Sequence, residues 1–169
     1  MKLQARPKID MPMSLLNTLL TILTFLLLIG NIVYIGVVWS SLPDRIPTHF
    51  NESGKVDGFG GKESLWGLTV VCFILWAGLT LLERFPHIYN YLVEITEQNA
   101  LRQYKNAQLM INLTKTEITL LFIYLSWKSI RIALGHEIFY ITVEVPFILI
   151  ILFGTIAIFI TRSFLLEKK

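Results

Sequence analysis

The sequence predicts an all-α membrane protein with four transmembrane helices, a structured Pro/Gly-rich extracytoplasmic loop and a cytoplasmic helical connector. Hydrophobic residues make up 54% of the chain and charged residues only 16%, whereas about a quarter of the residues in soluble domains are charged. Apolar runs long enough to cross a hydrocarbon core of roughly 30 Å recur along the chain. The length of 169 residues leaves room for a single four-helix domain spanning 1–169.

The predicted membrane helices span approximately residues 15–39, 65–82, 118–134 and 145–160. The first run carries no charge and, at about 1.5 Å per residue, exceeds the thickness of the hydrocarbon core. Basic residues precede it, as in a signal peptide. However, the run is longer than the apolar region of a typical signal peptide, and no small-residue cleavage motif follows it. We therefore interpret it as a retained membrane helix.

The segments between these helices are two outer loops, 40–64 and 135–144, and a connector, 84–116. Pro86 ends the second helix because proline cannot continue the hydrogen-bond ladder. Residues 93–112 contain no proline or glycine and are good helix formers, which predicts a helix that continues into the third membrane helix. The connector is a solvated linker or, alternatively, a docking surface for a cytoplasmic partner.

The distribution of lysine and arginine predicts the orientation of the chain. With the N-terminus inside, the inner side holds ten of the fifteen basic residues. These are Lys2, Arg6, Lys8, Arg84, Arg102, Lys105, Lys115, Arg162, Lys168 and Lys169. Both termini are therefore expected in the cytoplasm. The net charge of +3 reflects this topology, and no nucleic-acid partner is expected.

Polar side chains follow one face of the first and of the third predicted membrane helix. Asn17, Thr21, Thr24 and Asn31 fall within one narrow arc of the first helix. Such residues usually face a bundle interior or a water-filled cavity, so they form interhelical hydrogen bonds or, alternatively, line a conduction path. The corresponding arc of the third helix consists of Glu117, Tyr124, Lys128 and Arg131.

Lys128 and Arg131 allow two interpretations. Both lie within two turns of Gly135, so their long side chains can extend outward to the lipid headgroups. Alternatively, one of them turns inward and meets the Asn31 end of the first helix, which is expected at a similar depth.

The segment Leu42–Lys62 carries the most distinctive chemistry of the chain. Its prolines and glycines fix a particular backbone path, and its histidine, asparagine and charged side chains provide polar contacts. We therefore expect a ligand or partner to meet this loop. The candidate binding residues are Pro47, His49, Asn51, Gly54, Asp57 and Lys62.

A zinc-like ion is one candidate ligand of the outer face. His49 and Asp57 come from the first outer loop and His136 from the second, and imidazoles with a carboxylate can form a three-ligand site with one open position. Nearby carboxylates are those of Glu52, Glu137 and Glu144. The alternative is a metal-free loop scaffold, in which aspartates cap turns and Lys62 pairs with a carboxylate or a lipid phosphate. No cofactor is expected in that case.

Catalytic motifs are poorly represented. His136-Glu137 opens like a zincin motif, but Tyr140 stands where the second histidine is required. The single cysteine, Cys72, excludes an intrachain disulfide and a cysteine zinc cluster. No nucleophile and base are suggested by order or spacing, so no catalytic residue is assigned.

The loop motif also carries a family resemblance. The run Pro43 to Asn51, PDRIPTHFN, followed by Gly54, Asp57 and Lys62, resembles a bacterial membrane family of unknown function. That module forms the N-terminal part of SdpI-type immunity proteins, which protect a sporulating cell from its own toxic peptide. The resemblance continues through Asn90-Tyr91, Ile95 to Glu97, Asn99-Ala100, Arg102 to Tyr104 and the helix of Glu117.

The resemblance implies a polytopic protein of the bacterial inner membrane with the loop outside. The longer immunity proteins continue with further membrane segments where this chain stops after its fourth predicted helix. Three functions remain open. They are a binding or immunity-type protein that recognises a peptide toxin or a protein partner, a transporter subunit or accessory protein with a polar path between helices, and a metal-dependent membrane enzyme at the outer face.

Overall fold

The computed structural model describes residues 6–51, 53–136 and 144–167 of the chain. Helix α1 begins at Leu15 and ends at Val38, and a short 3₁₀ turn follows at Trp39–Ser41. The remaining elements, in chain order, are strand β1 (Arg45–Phe50), strand β2 (Val56–Gly61), helix α2 (Ser64–Leu82), a 3₁₀ turn (Pro86–Ile88), helix α3 (Ala100–Ala133) and helix α4 (Glu144–Glu167).

Helices α1 to α4 account for the predicted fold class. In the part of the chain that the structure describes, four helices are long and apolar enough to cross a membrane. Large apolar side chains on their outer faces are exposed, for example Leu26, Ile74 and Ile150, as expected for surfaces that contact lipid instead of water. The prediction of a mostly helical, polytopic membrane protein with four membrane helices is confirmed.

Helix α3 lies at the centre of the bundle, since it packs against α1, α2, α4 and β1. Side-chain amides of α3 hold α4 in place: Gln103 donates to the carbonyl of Ser163, and Asn106 donates to the carbonyl of Phe159, both at 2.9 Å. Ser163 also donates to Gln103 Oε1 at 2.6 Å. Polar side chains of α3 therefore provide directional contacts that apolar packing in lipid cannot supply.

The start of α3 differs from the predicted helix over residues 93–112. The helix begins only at Ala100, because Thr96 and Asn99 form a local turn. Asn99 Oδ1 accepts from Thr96 N at 2.9 Å, and Asn99 Nδ2 donates to the carbonyl of Glu94 at 2.9 Å. Such side-chain bonds compete with helical hydrogen bonding. As predicted, the helix then continues without a break into the membrane segment, ending at Ala133.

The loop between α1 and α2 contains an antiparallel β-hairpin, which its local sequence does not predict. Strands β1 and β2 pair with Arg45 opposite Gly61 and Phe50 opposite Val56, and the register is irregular around His49. Ile46 of β1 is fully buried, and it belongs to a core cluster with Leu42, Leu65, Ile35 and Ile130. The Ile46 side chain therefore packs the hairpin against α1, α2 and α3.

Tyrosines fix the segment between α2 and α3 at the opposite end of the bundle. Tyr89 donates to the carbonyl of Leu82 at 2.8 Å, and Tyr91 donates to the carbonyl of Pro86 at 2.9 Å. Burial raises the pKa of both phenols well above the usual value, so they stay neutral hydrogen-bond donors. The guanidinium of Arg6 lies over the Tyr91 ring, 5.4 Å from its centroid, and joins the N-terminal segment to this cluster.

Candidate functional site

The tip of the hairpin is built by Asn51 and Gly54. Asn51 Oδ1 accepts from the backbone amides of Ser53 and Lys55, each at 3.0 Å. Gly54 donates its backbone amide to the carbonyl of Asn51 at 2.8 Å and has a φ of 74°, which glycine adopts without strain. These two predicted site residues therefore shape the turn that joins β1 to β2.

The glycines of β2 allow a close approach of the two strands. A Cβ atom at position 58 would lie 2.8 Å from His49 Cβ, and one at position 60 would lie 2.9 Å from Thr48 Cγ2. A larger residue at Gly58 must therefore displace β1, whereas one at Gly60 must displace the Thr48 side chain. Glycine at positions 58 and 60 is therefore explained by the close approach of β1.

Lys62 fastens the base of the hairpin to the end of α1. Its Nζ lies 3.4 Å from the carbonyl of Leu42 and 3.5 Å from Asp44 Oδ1. The same ammonium lies over the Trp39 ring, 5.3 Å from the centroid, and the Trp39 ring contacts Trp66 of α2 at 5.8 Å between centroids. Lys62, a predicted site residue, thus contributes to anchoring.

His49 and Asp57 meet on the exposed surface of the hairpin. His49 Nδ1 lies 2.5 Å from Asp57 Oδ1, and the two side chains are 72% and 42% exposed. Phe59 of β2 is also exposed. A contact this open to solvent contributes little stability. Because both side chains are exposed, they are available for contact with a partner.

The predicted metal site is only partly assembled. The structure brings His49 and Asp57 together, but within residues 6–51, 53–136 and 144–167 it forms no group of three or more histidine, cysteine, aspartate or glutamate residues that could hold a metal ion. His136 is exposed and belongs to no such group. Glu52 and Glu137 lie outside the described residues, and the side chain of Glu144 is not described.

An open groove lies beside the hairpin, between α2 and α3. It has a volume of about 570 Å³. Its lining includes Pro47 and Phe50 of β1, Leu68 of α2, and Phe122 and Leu125 of α3. The predicted site residue Pro47 is buried, so it contributes to this lining and to the seating of β1.

The polar stripe of α1 faces the bundle interior, where Asn17, Thr24 and Asn31 are buried. Thr24 Oγ1 accepts from the indole nitrogen of Trp76 at 2.9 Å. Asn31 Nδ2 donates to Thr69 Oγ1 at 3.3 Å. Asn17 is buried as well, and its backbone carbonyl accepts from Asn112 Nδ2 at 3.2 Å. These contacts are interhelical hydrogen bonds that connect α1 to α2 and α3.

A fully buried ion pair occupies the interior where this stripe begins. Lys115 Nζ lies 2.6 Å from Glu83 Oε1, and both side chains are completely buried. The ammonium also donates to Thr21 Oγ1 at 2.9 Å and Thr80 Oγ1 at 3.2 Å, while Asn112 Nδ2 donates to Glu83 Oε2 at 3.0 Å. We call these five residues the Glu83–Lys115 network.

Sequence reasoning missed this network. Lys115, predicted to be an inner-side cation, is buried together with Glu83, which no motif in the sequence indicates. A signal does exist, because Thr69, Trp76, Thr80 and Glu83 recur at helical spacing along α2. The same spacing relates Gln108, Asn112, Lys115 and Thr119 along α3. Two such stripes beside the α1 stripe indicate a shared polar interior.

The residues of the polar stripe predicted in α3 contact different parts of the protein. Glu117 Oε1 accepts from Thr155 Oγ1 of α4 at 2.6 Å. Lys128 is buried, with its Nζ 4.8 Å from the centroid of the Phe50 ring and 5.9 Å from that of Tyr124. Arg131 is partly buried. Lys128 therefore turns inward, and it links α3 to the hairpin through Phe50.

Comparison with known proteins identifies a similarity over the hairpin region. The domain of unknown function DUF1648 matches residues 26–82, about a third of the chain, which includes the hairpin and α2. An uncharacterised protein of Archaeoglobus fulgidus is 31% identical over an alignment that covers 36% of this chain and 41% of the relative. The alignment thus spans less than half of that relative. No solved structure matches the chain. The chain is a polytopic membrane protein that resembles a domain of unknown function over its hairpin region.

Proposed function

We propose that this chain is a recognition protein of a bacterial cell membrane and that its outer hairpin binds a peptide or protein partner. One observation carries the proposal: the hairpin is fixed to the bundle while it exposes an aromatic side chain and borders an open groove. The excess of basic residues on the side of the termini supports a cytoplasmic location for both ends. In that orientation the hairpin lies outside the cell.

A fixed backbone favours recognition because less conformational entropy is lost on binding. Ile46 is buried in the core, Lys62 fastens the base, and the side chain of Asn51 orders the tip. The close strand contact at Gly58 removes further freedom. The surface that the hairpin presents is therefore preorganised.

The chemistry of this surface suits an extended peptide with apolar side chains. Phe59 is 56% exposed, and exposed aromatic residues are frequent anchors of interfaces. The adjoining groove of about 570 Å³ has the size of typical ligand pockets. His49 and Asp57 add a polar contact at the edge. The resemblance of the loop motif to SdpI-type immunity proteins supports a toxic peptide as one such partner.

Photo-crosslinking in intact cells of the source organism tests this proposal. With p-benzoylphenylalanine in place of Phe59, irradiation should give a discrete adduct that mass spectrometry identifies as peptide or protein. The matched control is Phe147 of α4, which is 60% exposed and belongs to a membrane helix. The same substitution at Phe147 should give lipid adducts. Lipid adducts alone at both positions would contradict recognition by the hairpin.

A transporter subunit or accessory protein is the second candidate function, favoured by the Glu83–Lys115 network. Ionisable groups buried inside a membrane-helix bundle often belong to ion or proton pathways. The α1 stripe extends the polar interior from Asn17 to Asn31, about 21 Å at 1.5 Å per residue. Proteoliposomes containing a pH-sensitive dye would then show proton flux above empty vesicles, and Glu83→Gln would abolish it. Equal flux in both kinds of vesicle would eliminate this candidate.

A further inference from the structure

A second pocket lies at the other end of the bundle, where α1 begins. It has a volume of about 340 Å³ and lies between α1, α3 and α4. Its polar lining consists of Ser14, Asn17, Arg102, Lys105, Asn106 and Arg162, together with Gln108. We call it the basic pocket. From these residues we propose that the basic pocket binds the glycerol phosphate headgroup of an anionic phospholipid.

The charge of the pocket selects an anion. Arg102 and Lys105 come from α3 and Arg162 from α4, and among the described residues no acidic side chain lines the pocket. None of these cations takes part in an ion pair found in the described ranges. The first turn of α1 adds the positive end of its helix dipole. Arginine and lysine around a compact pocket bind phosphate oxygens through charge-assisted hydrogen bonds.

Two asparagines that line the basic pocket carry amide oxygens without a described hydrogen-bond partner. Asn17 and Asn106 are 3% and 5% exposed, and the Oδ1 atom of each has no hydrogen-bond partner among the described residues. Asn106 Nδ2 donates to the carbonyl of Phe159, which fixes the amide and leaves Oδ1 as its free end. A buried acceptor of this kind gains from a donor; under this proposal a hydroxyl of the glycerol headgroup, beside the phosphate, supplies one.

The position of the pocket favours a lipid over a soluble phosphate. The basic residues lie at the ends of membrane helices, where headgroups are found, and clusters of this kind between such helices recognise anionic lipids. Leu109 and Leu166 form part of the lining and offer an apolar surface to the upper acyl chain. A lipid therefore uses both the polar and the apolar parts of the pocket.

Lipid binding by the full-length protein in neutral detergent tests the proposal. Native mass spectrometry would count bound dioleoylphosphatidylglycerol and dioleoylphosphatidylcholine at equal concentrations. We expect preferential retention of phosphatidylglycerol, and about a tenfold weaker affinity when Arg102→Gln and Arg162→Gln are combined, which corresponds to about 1.4 kcal/mol. The matched control is Arg84→Gln, an exposed arginine near the end of α2 that does not line the pocket.

Two further arms separate the possible ligands. Asn106→Leu should reduce the preference for phosphatidylglycerol over phosphatidic acid, because phosphatidic acid has no glycerol headgroup to contact Oδ1. Soluble glycerol 3-phosphate should not displace the bound lipid at millimolar concentration. Displacement would identify a soluble phosphate as the ligand and overturn the lipid assignment. Equal retention of phosphatidylglycerol and phosphatidylcholine would overturn the site itself. An equal loss of phosphatidylglycerol affinity in the Arg84→Gln control would do the same.

Discussion

Replacing Lys115 with methionine should lower the free energy of unfolding by about 3–5 kcal/mol, the range measured when one partner of a buried ion pair is removed. The structure explains why the upper part of this range applies. Lys115 lies 2.6 Å from Glu83 Oε1 and also donates to Thr21 and Thr80. Its removal leaves the Glu83 carboxylate buried, with only the Asn112 amide among the described contacts of its side-chain oxygens.

Removing both charges should restore most of this stability. In the double variant Lys115→Met and Glu83→Gln, no uncompensated charge remains, and the glutamine can still accept from Asn112. Neutral replacements of buried pairs are often close to neutral in stability. The free energy of unfolding of the double variant is therefore expected to lie within about 1 kcal/mol of the wild-type value and above that of the Lys115→Met single variant.

Reversible unfolding in phosphatidylcholine bilayers or neutral detergent would measure these free energies. Lys105→Met is the matched control, since Lys105 lies on the same helix but is exposed, and exposed substitutions usually change stability by less than about 0.5 kcal/mol. The reasoning is refuted if Lys115→Met lowers the free energy of unfolding no more than the Lys105→Met control. It is also refuted if the double variant is no more stable than the single one.

Further predictions concern topology and the outer hairpin. A membrane-impermeant thiol reagent applied to whole cells should label a cysteine placed at Ser53 and spare one placed at Gln98; the reverse pattern would invert the orientation. Gly58→Ala should lower the thermal unfolding midpoint, because its Cβ would lie 2.8 Å from a carbon of the facing strand, whereas Gly78→Ala, with open space around it, should not. Lys128→Leu should lower the free energy of unfolding by about 2 kcal/mol, since it removes the ammonium that lies against the Phe50 ring. An unchanged unfolding midpoint would instead indicate a side chain that extends to the headgroups.

The membrane helices and the α1 stripe could be predicted because both signals are local. A long run without charge identifies a spanning helix by its length and composition, and helical spacing places Asn17, Thr24 and Asn31 on one face. The partners of that face could not be predicted. Thr69, Trp76 and Asn112 belong to other helices, and only packing decides which of their faces meet α1.

The hairpin was not predicted because its residues contradict strand propensity. Glycine is depleted in strands, and proline interrupts their hydrogen bonding, yet β2 contains Gly58, Gly60 and Gly61. Gly58 and Gly60 are explained by contact with the facing strand, which is a non-local property. The same applies to Glu83 and Lys115. They are 32 residues apart and become a pair only when α2 packs on α3.

The candidate binding residues of the loop divide into two groups that sequence alone could not separate. Asn51, Gly54 and Lys62 shape or anchor the hairpin, and Pro47 seats β1. His49 and Asp57 remain exposed. A motif of this composition reports on backbone construction as well as on recognition, and burial is needed to distinguish the two.

The most direct test of the recognition proposal asks whether the folded hairpin, and not merely an exposed aromatic residue, selects the partner. The yield of the crosslinked adduct at position 59 would be measured in cells carrying Gly58→Val, with Lys55→Ala at the hairpin tip as the control, at equal amounts of membrane-inserted protein. Valine at position 58 displaces β1, so the account predicts loss of the adduct in that variant and a wild-type yield in the control. An undiminished adduct with valine at position 58 would contradict it.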